Sequence, residues 1–98
     1  MILSIKWNRR AVRQLDDLVK YIEEDSLVAA EKVKRGILLK IDGLLKHPEK
    51  FNPDKYKLNN DGSFRAFELY HYRVSYRFIA NEIRIIRLRH TKMNPLKY

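Results

Sequence analysis

A chain of 98 residues with 45% hydrophobic content is long enough for one core, too short for two, and too apolar for wholesale disorder. No apolar run approaches a membrane span, and the opening MILSIKWNRR lacks the ordered charge, apolar core and small residues of a signal peptide, so a single cytoplasmic domain over residues 1–98 is expected. Cysteine is absent, which removes disulfide and thiol chemistry. The formal net charge is +9, and residues 64–98 hold eight Lys/Arg against only Glu68 and Glu82, so +6 of it falls in the last third. That asymmetry points to an anionic partner: nucleic acid, the ribosome or an acidic protein.

Residues 1–7 read as a strand, with Ile2, Leu3, Ile5 and Trp7 supplying bulk. Asn8 is placed to cap a helix whose apolar face is Val12, Leu15, Val19 and Ile22. Ser26 can cap a second helix, with Ala30, Val33, Ile37, Ile41 and Leu44 at helical spacing, and Pro48 stops it near His47. The short link between them predicts an antiparallel hairpin. Residues 48–63 carry two prolines and an Asn-Asn-Asp-Gly turn signal and read as a connector. Three strands follow, at 64–70, 72–79 and 83–90, with Ala80-Asn81-Glu82 as a hairpin turn. The alternation slips at Ile85-Ile86, which predicts a bulge or a centrally buried strand. The expected class is therefore α+β: an N-terminal strand, an antiparallel helical hairpin, and a three-stranded antiparallel meander with the helices on one sheet face.

Tyr72, Val74, Tyr76 and Phe78 fall on one face of their strand, and Arg73, Ser75 and Arg77 on the other. A partly open basic face is expected, with Arg65, Arg73, Arg77, Arg87, Arg89 and Lys92 as the residues that would meet a target or a phosphate. Interleaved tyrosines could stack on bases, although Tyr72 and Tyr76 have the spacing of core residues. The histidines His47, His71 and His90 form no close pair and have no cysteine or acidic cluster beside them, so no metal site and no cofactor are expected. His47 is placed to meet the carbonyl end of its helix. His90 ends the last strand among Arg87, Arg89 and Lys92; those cations disfavour a second ring proton, which suits a general base or simply a turn anchor. Cleavage of RNA through its 2′-hydroxyl needs a base, cations for the phosphorane and an acid for the leaving oxygen. The cations are in excess; His90 or Glu68 could serve as base and Tyr98 or a lysine as acid, but no pair is singled out by spacing.

Across nearly its whole length the chain resembles the RelE/ParE toxin superfamily, the toxin halves of type II toxin–antitoxin pairs. The resemblance rests on the strand ending in Trp7, Tyr21-Ile22, Leu45-x-His47-Pro48, Phe64-Arg65, and above all the His71-to-Tyr76 strand followed by the Ile83-to-His90 strand. It implies a growth-inhibiting protein of plasmid-stabilisation (addiction) systems, neutralised by a cognate antitoxin and meeting DNA only through that complex. His90-Thr91-Lys92-Met93-Asn94-Pro95 resembles the His-x-Arg-Met-Asp-Pro ending of ParE-like members, with Lys92 and Asn94 as departures. The ParE-like branch poisons DNA gyrase, and that reading is preferred. The RelE-like branch cuts mRNA on the ribosome without a metal; there Arg73, His90 and Tyr98 would be catalytic. A non-toxic relative serving as co-repressor with its antitoxin is the third alternative.

Overall fold

The computed structural model describes residues 2–93 and 96–98. Strand β1 (Ser4–Trp7) leads into helices α1 (Arg9–Glu23) and α2 (Leu27–Asp42), followed by strands β2 (Phe64–Leu69), β3 (Tyr72–Ile79) and β4 (Glu82–His90). The strands form one sheet in the order β1-β4-β3-β2, with β1 parallel to β4 and the remaining pairs antiparallel. The α+β meander expected from the residue pattern is the observed fold.

Local chemistry explains the boundaries. The Ser26 hydroxyl accepts the Ala29 N–H at 3.0 Å and starts α2. Asn8 occupies the position before α1 but does not cap it with its side chain, because its Oδ1 accepts instead from Arg84 Nη1 at 3.3 Å. The α2 helix ends at Asp42 and tightens through one 3₁₀ turn, Gly43–Leu45, ahead of Pro48. Both hairpins of the meander are two-residue turns with positive φ at Tyr70 (51°) and His71 (67°), and at Ala80 (53°) and Asn81 (61°). That geometry matches the strand twist but strains side chains that are not glycine. Glu82, expected in the turn, is the first residue of β4, and Tyr70, expected in a strand, belongs to the turn.

The register jumps from Ser75↔Arg87 to Tyr76↔Ile85, so Ile86 is the extra residue of a bulge in β4. Parity therefore resets within β4, and Ile83, Ile85 and Leu88 all reach the core. They pack with Tyr72, Val74 and Tyr76 from β3, Ala11, Leu15 and Leu18 from α1, and Ile37 and Ile41 from α2. Each large side chain buried this way contributes roughly 1.5–3 kcal/mol. The buried stripe of α1 is rotated from the expected one: Ala11 and Leu18 are buried, whereas Val12 is 45% exposed. Tyr76 closes the far end of the core, its hydroxyl donating to the Pro48 carbonyl at 2.8 Å.

Candidate functional site

The face of the sheet turned away from the helices carries three cross-strand rows: Glu68-Arg73-Arg89, Ala66-Ser75-Arg87, and Phe64-Arg77-Arg84-Lys6. Arg65 is not among them. It lies opposite Tyr76, so it leaves β2 on the helix side, where its Nη1 donates to the carbonyls of Phe51 (2.7 Å) and Glu49 (3.3 Å).

The middle of this basic face is roofed by the connector and the end of the chain, where an open surface was expected. The connector is held along the β2 edge by Asp54 N–H donating to Phe64 O at 2.9 Å and Ala66 N–H donating to Asn52 O at 3.2 Å. This puts Asp54, only 2% exposed, directly over β3. Its Oδ1 accepts from Arg73 Nη2 (3.0 Å) and from the Tyr56 N–H (3.1 Å), and its Oδ2 accepts from the Tyr98 hydroxyl (2.6 Å). Arg73 completes its fork on Glu68, Nη1 to Oε2 at 3.0 Å. Tyr98 is fixed on several sides: its N–H donates to Tyr56 O at 3.0 Å, Lys57 Nζ donates to its carbonyl at 3.2 Å, and its ring lies 4.1 Å from the Arg87 guanidinium carbon and edge-on to Phe64. Arg87, 7% exposed, donates to Leu96 O at 2.6 Å. Ser75, 1% exposed, lies beneath the cluster, its Oγ outside good hydrogen-bond geometry in this rotamer but close enough to help hold Asp54 ionised.

The electrostatics follow from this packing. Burial alone would raise the Asp54 carboxyl; the hydrogen bond from Tyr98, the nearby Ser75 hydroxyl, and the hydrogen bonds from the Tyr56 N–H and Arg73 outweigh it and hold the group below the usual carboxylate range. Burial and the bond to Asp54 push the Tyr98 phenol well above its ordinary range. Burial lowers Arg87, whereas Arg73, despite its burial, is raised by Asp54 and Glu68. The sign for stability is set by Asp54. Its folded pKa lies below that of an ordinary aspartate, so it stabilises the fold above the ordinary value, and the contribution is lost as pH falls through the folded one. Acid titration followed by circular dichroism is therefore expected to show a loss of stability beginning near pH 4 that Asp54→Asn removes; an unchanged acid limb in Asp54→Asn would rule out this assignment.

The remaining sequence-derived candidates are dispersed. Arg77 is held by Ser63 Oγ at 2.9 Å and Asp61 at 3.4 Å, with its guanidinium over the Phe64 ring. His90 accepts the Lys92 N–H on Nδ1 at 3.0 Å, and its ring stands edge-on to Tyr72 with centroids 5.1 Å apart. It borders a groove of about 500 Å³ between α1 and the β4 edge, lined also by Leu18, Tyr21, Tyr72 and Met93. It also borders a crevice of about 40 Å³ shared with Arg73, Arg87 and Arg89. Lys92 is exposed, and the tail motif continues into Asn94 and Pro95, outside the described residues. Among the described residues no group of three or more His, Cys, Asp or Glu could hold a metal ion, and no helix is long and apolar enough to cross a membrane. Asp54, the centre of the cluster, was missed by sequence reasoning: a single acid in a Pro-Asp-Lys loop carries no signal until the loop is placed over the sheet.

This sheet with a helical hairpin on one face is a fold found in chains of solved toxin–antitoxin systems. A chain of the chromosomal ParDE toxin–antitoxin system from Pseudomonas aeruginosa superposes with a TM-score of 0.71 at 20% identity, covering 93% of this chain and 98% of that one. A chain of the RelBE2 toxin–antitoxin complex from Mycobacterium tuberculosis gives a TM-score of 0.55 at 20% identity, covering 92% of each. Residues 5–95 match the family model described as the ParE toxin of the type II toxin–antitoxin system parDE, and the chain belongs to that family. A Sinorhizobium fredii protein named "Putative toxin Y4kP" is 38% identical over 53 residues, 54% of this chain and 55% of that protein, so the match spans about half of the curated relative's length.

Proposed function

We propose that this chain, as one domain, is the growth-inhibiting half of a type II toxin–antitoxin pair, that it works in the cytoplasm, and that it acts by binding DNA gyrase. The observation that carries the preference for binding over RNA cleavage is the Asp54 carboxylate. A phosphorane needs free cations around it and an acid able to release its proton. Here Asp54 takes one arm of the Arg73 fork and Glu68 the other. Tyr98, the candidate acid, is hydrogen-bonded to Asp54 and holds its proton more tightly than an ordinary phenol. An incoming phosphate would meet a fixed negative charge at the place where it needs a positive one. The groove bordered by His90, Tyr21 and Met93 remains as a contact surface for a large partner.

A cognate antitoxin is part of the proposal, supported by the ParDE and RelBE2 assemblies whose toxin fold this chain shares. Such a pair would serve plasmid stabilisation, with the free toxin arresting growth. The test is a supercoiling assay with the purified chain, freed of antitoxin, beside primer extension on transcripts from cells in which the chain alone is induced. Loss of gyrase supercoiling with intact transcripts is expected. Untouched supercoiling with codon-phased cuts would replace this reading with ribosome-dependent, metal-independent mRNA cleavage, and harmless expression would replace it with a non-toxic co-repressor.

A further inference from the structure

A run of cations that the fold leaves without a carboxylate partner among the described residues sits at the start of α1. Of the strand arginines, Arg65, Arg73, Arg77 and Arg84 each hold a carboxylate, and Arg87 is buried against Tyr98. The first fifteen residues, in contrast, contain Lys6, Arg9, Arg10 and Arg13 and no acid; the first carboxylate in the chain is Asp16. All four side chains are exposed, and none takes part in an ion pair among the described residues. Lys6 lies on the outer face of β1 opposite Arg84, whose own charge is met by Glu82. Arg9 and Arg13 are one helical turn apart and Arg10 is three residues from Arg13, so α1 presents the three guanidinium groups as neighbours. Like charges at neighbouring positions of α1, with Lys6 only three residues before Arg9 in the chain, repel one another, and an approaching anion relieves that repulsion.

The chemistry of the patch selects the kind of anion. Protein interfaces are anchored by buried aromatic and apolar side chains. In this stretch the one aromatic, Trp7, is packed against the core instead. Arginine forks with no exposed aromatic among them, and only the small side chain of Val12 as apolar surface, fit the oxygens of a phosphodiester backbone and carry no means of reading bases. We propose that Lys6, Arg9, Arg10 and Arg13 form a sequence-independent contact for the phosphate backbone of nucleic acid, made by this chain itself rather than only through an antitoxin. The contact stands whether or not gyrase is the target.

The test is fluorescence anisotropy with the full chain, a labelled mixed-sequence DNA duplex and a matched RNA hairpin, over a salt series. Binding is expected to weaken with salt. The variant R9Q/R10Q/R13Q is expected to reduce the slope of log affinity against log salt by about 2–3 and to weaken binding at low salt by about tenfold or more. The variant K34Q/R35Q/K46Q removes the same charge from exposed positions of α2 and the turn after it and is expected to leave the slope nearly unchanged. Equal losses in both variants would mean that net charge alone is responsible and would overturn the proposal. Displacement of the duplex by poly-glutamate at equal charge concentration would overturn it in favour of an acidic protein. Tighter binding of DNA or of RNA supports it in either case and names the source of the phosphate. Should the triple variant fail to fold, Lys6→Gln and Arg13→Gln singly are each expected to lower the slope by about 0.7–0.9, and no change in either would overturn it.

Discussion

Arg73→Ala is expected to destabilise this protein by about 3–5 kcal/mol, because it strands a buried carboxylate. Asp54 is 2% exposed, and Arg73 is its cationic partner at 3.0 Å. Without the guanidinium, the Tyr98 hydroxyl and the Tyr56 N–H would have to hold a full charge out of water alone. The second ion pair of Arg73, to a Glu68 whose side chain is 54% exposed, adds little by itself. Lysine is expected to be a poor replacement, since one ammonium cannot place two coplanar donors on Asp54 and Glu68 as the fork does. Replacing both members of the buried pair, as in Arg73→Met with Asp54→Leu, is expected to recover much of the loss, because the penalty belongs to the unpaired charge. Urea unfolding at neutral pH measures all of these. An Arg73→Ala protein within 1 kcal/mol of the parent would show that the pair does not hold the roof in place. A domain of this size has only about 5–15 kcal/mol of total stability, so lost toxicity in Arg73→Ala would report unfolding before it reported a target contact.

That outcome differs from what the residue pattern alone suggests, which is an Arg73 on a partly open face, placed to meet a target or a phosphate. The divergence lies between local and distant information. Alternation along β3 assigned Tyr72, Val74 and Tyr76 to the core, and the slipped phase at Ile85-Ile86 marked the bulge at Ile86, because both follow from side-chain parity within one strand. The turn at Tyr70-His71 was hidden because it contains neither glycine nor the Asn-Gly or Asp-Gly pair that usually marks such a turn. The close approach of Tyr70 to α2 explains why it is tolerated there: its ring occupies the space that a Cβ on Gly36 would fill, 2.6 Å from Tyr70 Cε2. Parallel pairing of β1 with β4 joins segments nearly eighty residues apart and leaves no local mark.

Charge was legible in amount but not in availability. The excess of +6 in residues 64–98 is a property of that segment by itself. In the folded chain Arg65, Arg73, Arg77 and Arg84 are answered by Glu49, Asp54 and Asp61 from the connector as well as by Glu68 and Glu82. The connector, read as a link between elements, thus supplies Asp54 and Asp61 to the basic face, whereas Lys6, Arg9, Arg10 and Arg13 near the other end of the sequence have no such partner among the described residues.

Tyr98→Phe separates the structural role of the hydroxyl from a catalytic one. Asp54 would lose the 2.6 Å donor, which, as a hydrogen bond to a charged group, is worth about 1.5–3 kcal/mol. The ring would remain over Arg87 at 4.1 Å and edge-on to Phe64 at 6.1 Å, so the segment should stay docked. Because that bond is among those that lower the Asp54 carboxyl, its removal is expected to raise the folded pKa and move the onset of acid unfolding to higher pH. Tyr98→Ala removes the ring as well and is expected to cost more than Tyr98→Phe. If the chain acts by binding gyrase, folded Tyr98→Phe should inhibit supercoiling within about twofold of the parent, since the hydroxyl already faces inward to Asp54. General acid–base catalysis contributes about 10²–10⁴-fold, so an RNA-cleaving enzyme using this phenol would lose activity on that scale while folded. Unfolding by denaturant and inhibition by the same preparation, measured side by side, distinguish the two: lower stability with undiminished inhibition makes Tyr98 a lock on the basic face, and undiminished stability with abolished activity makes it a catalyst.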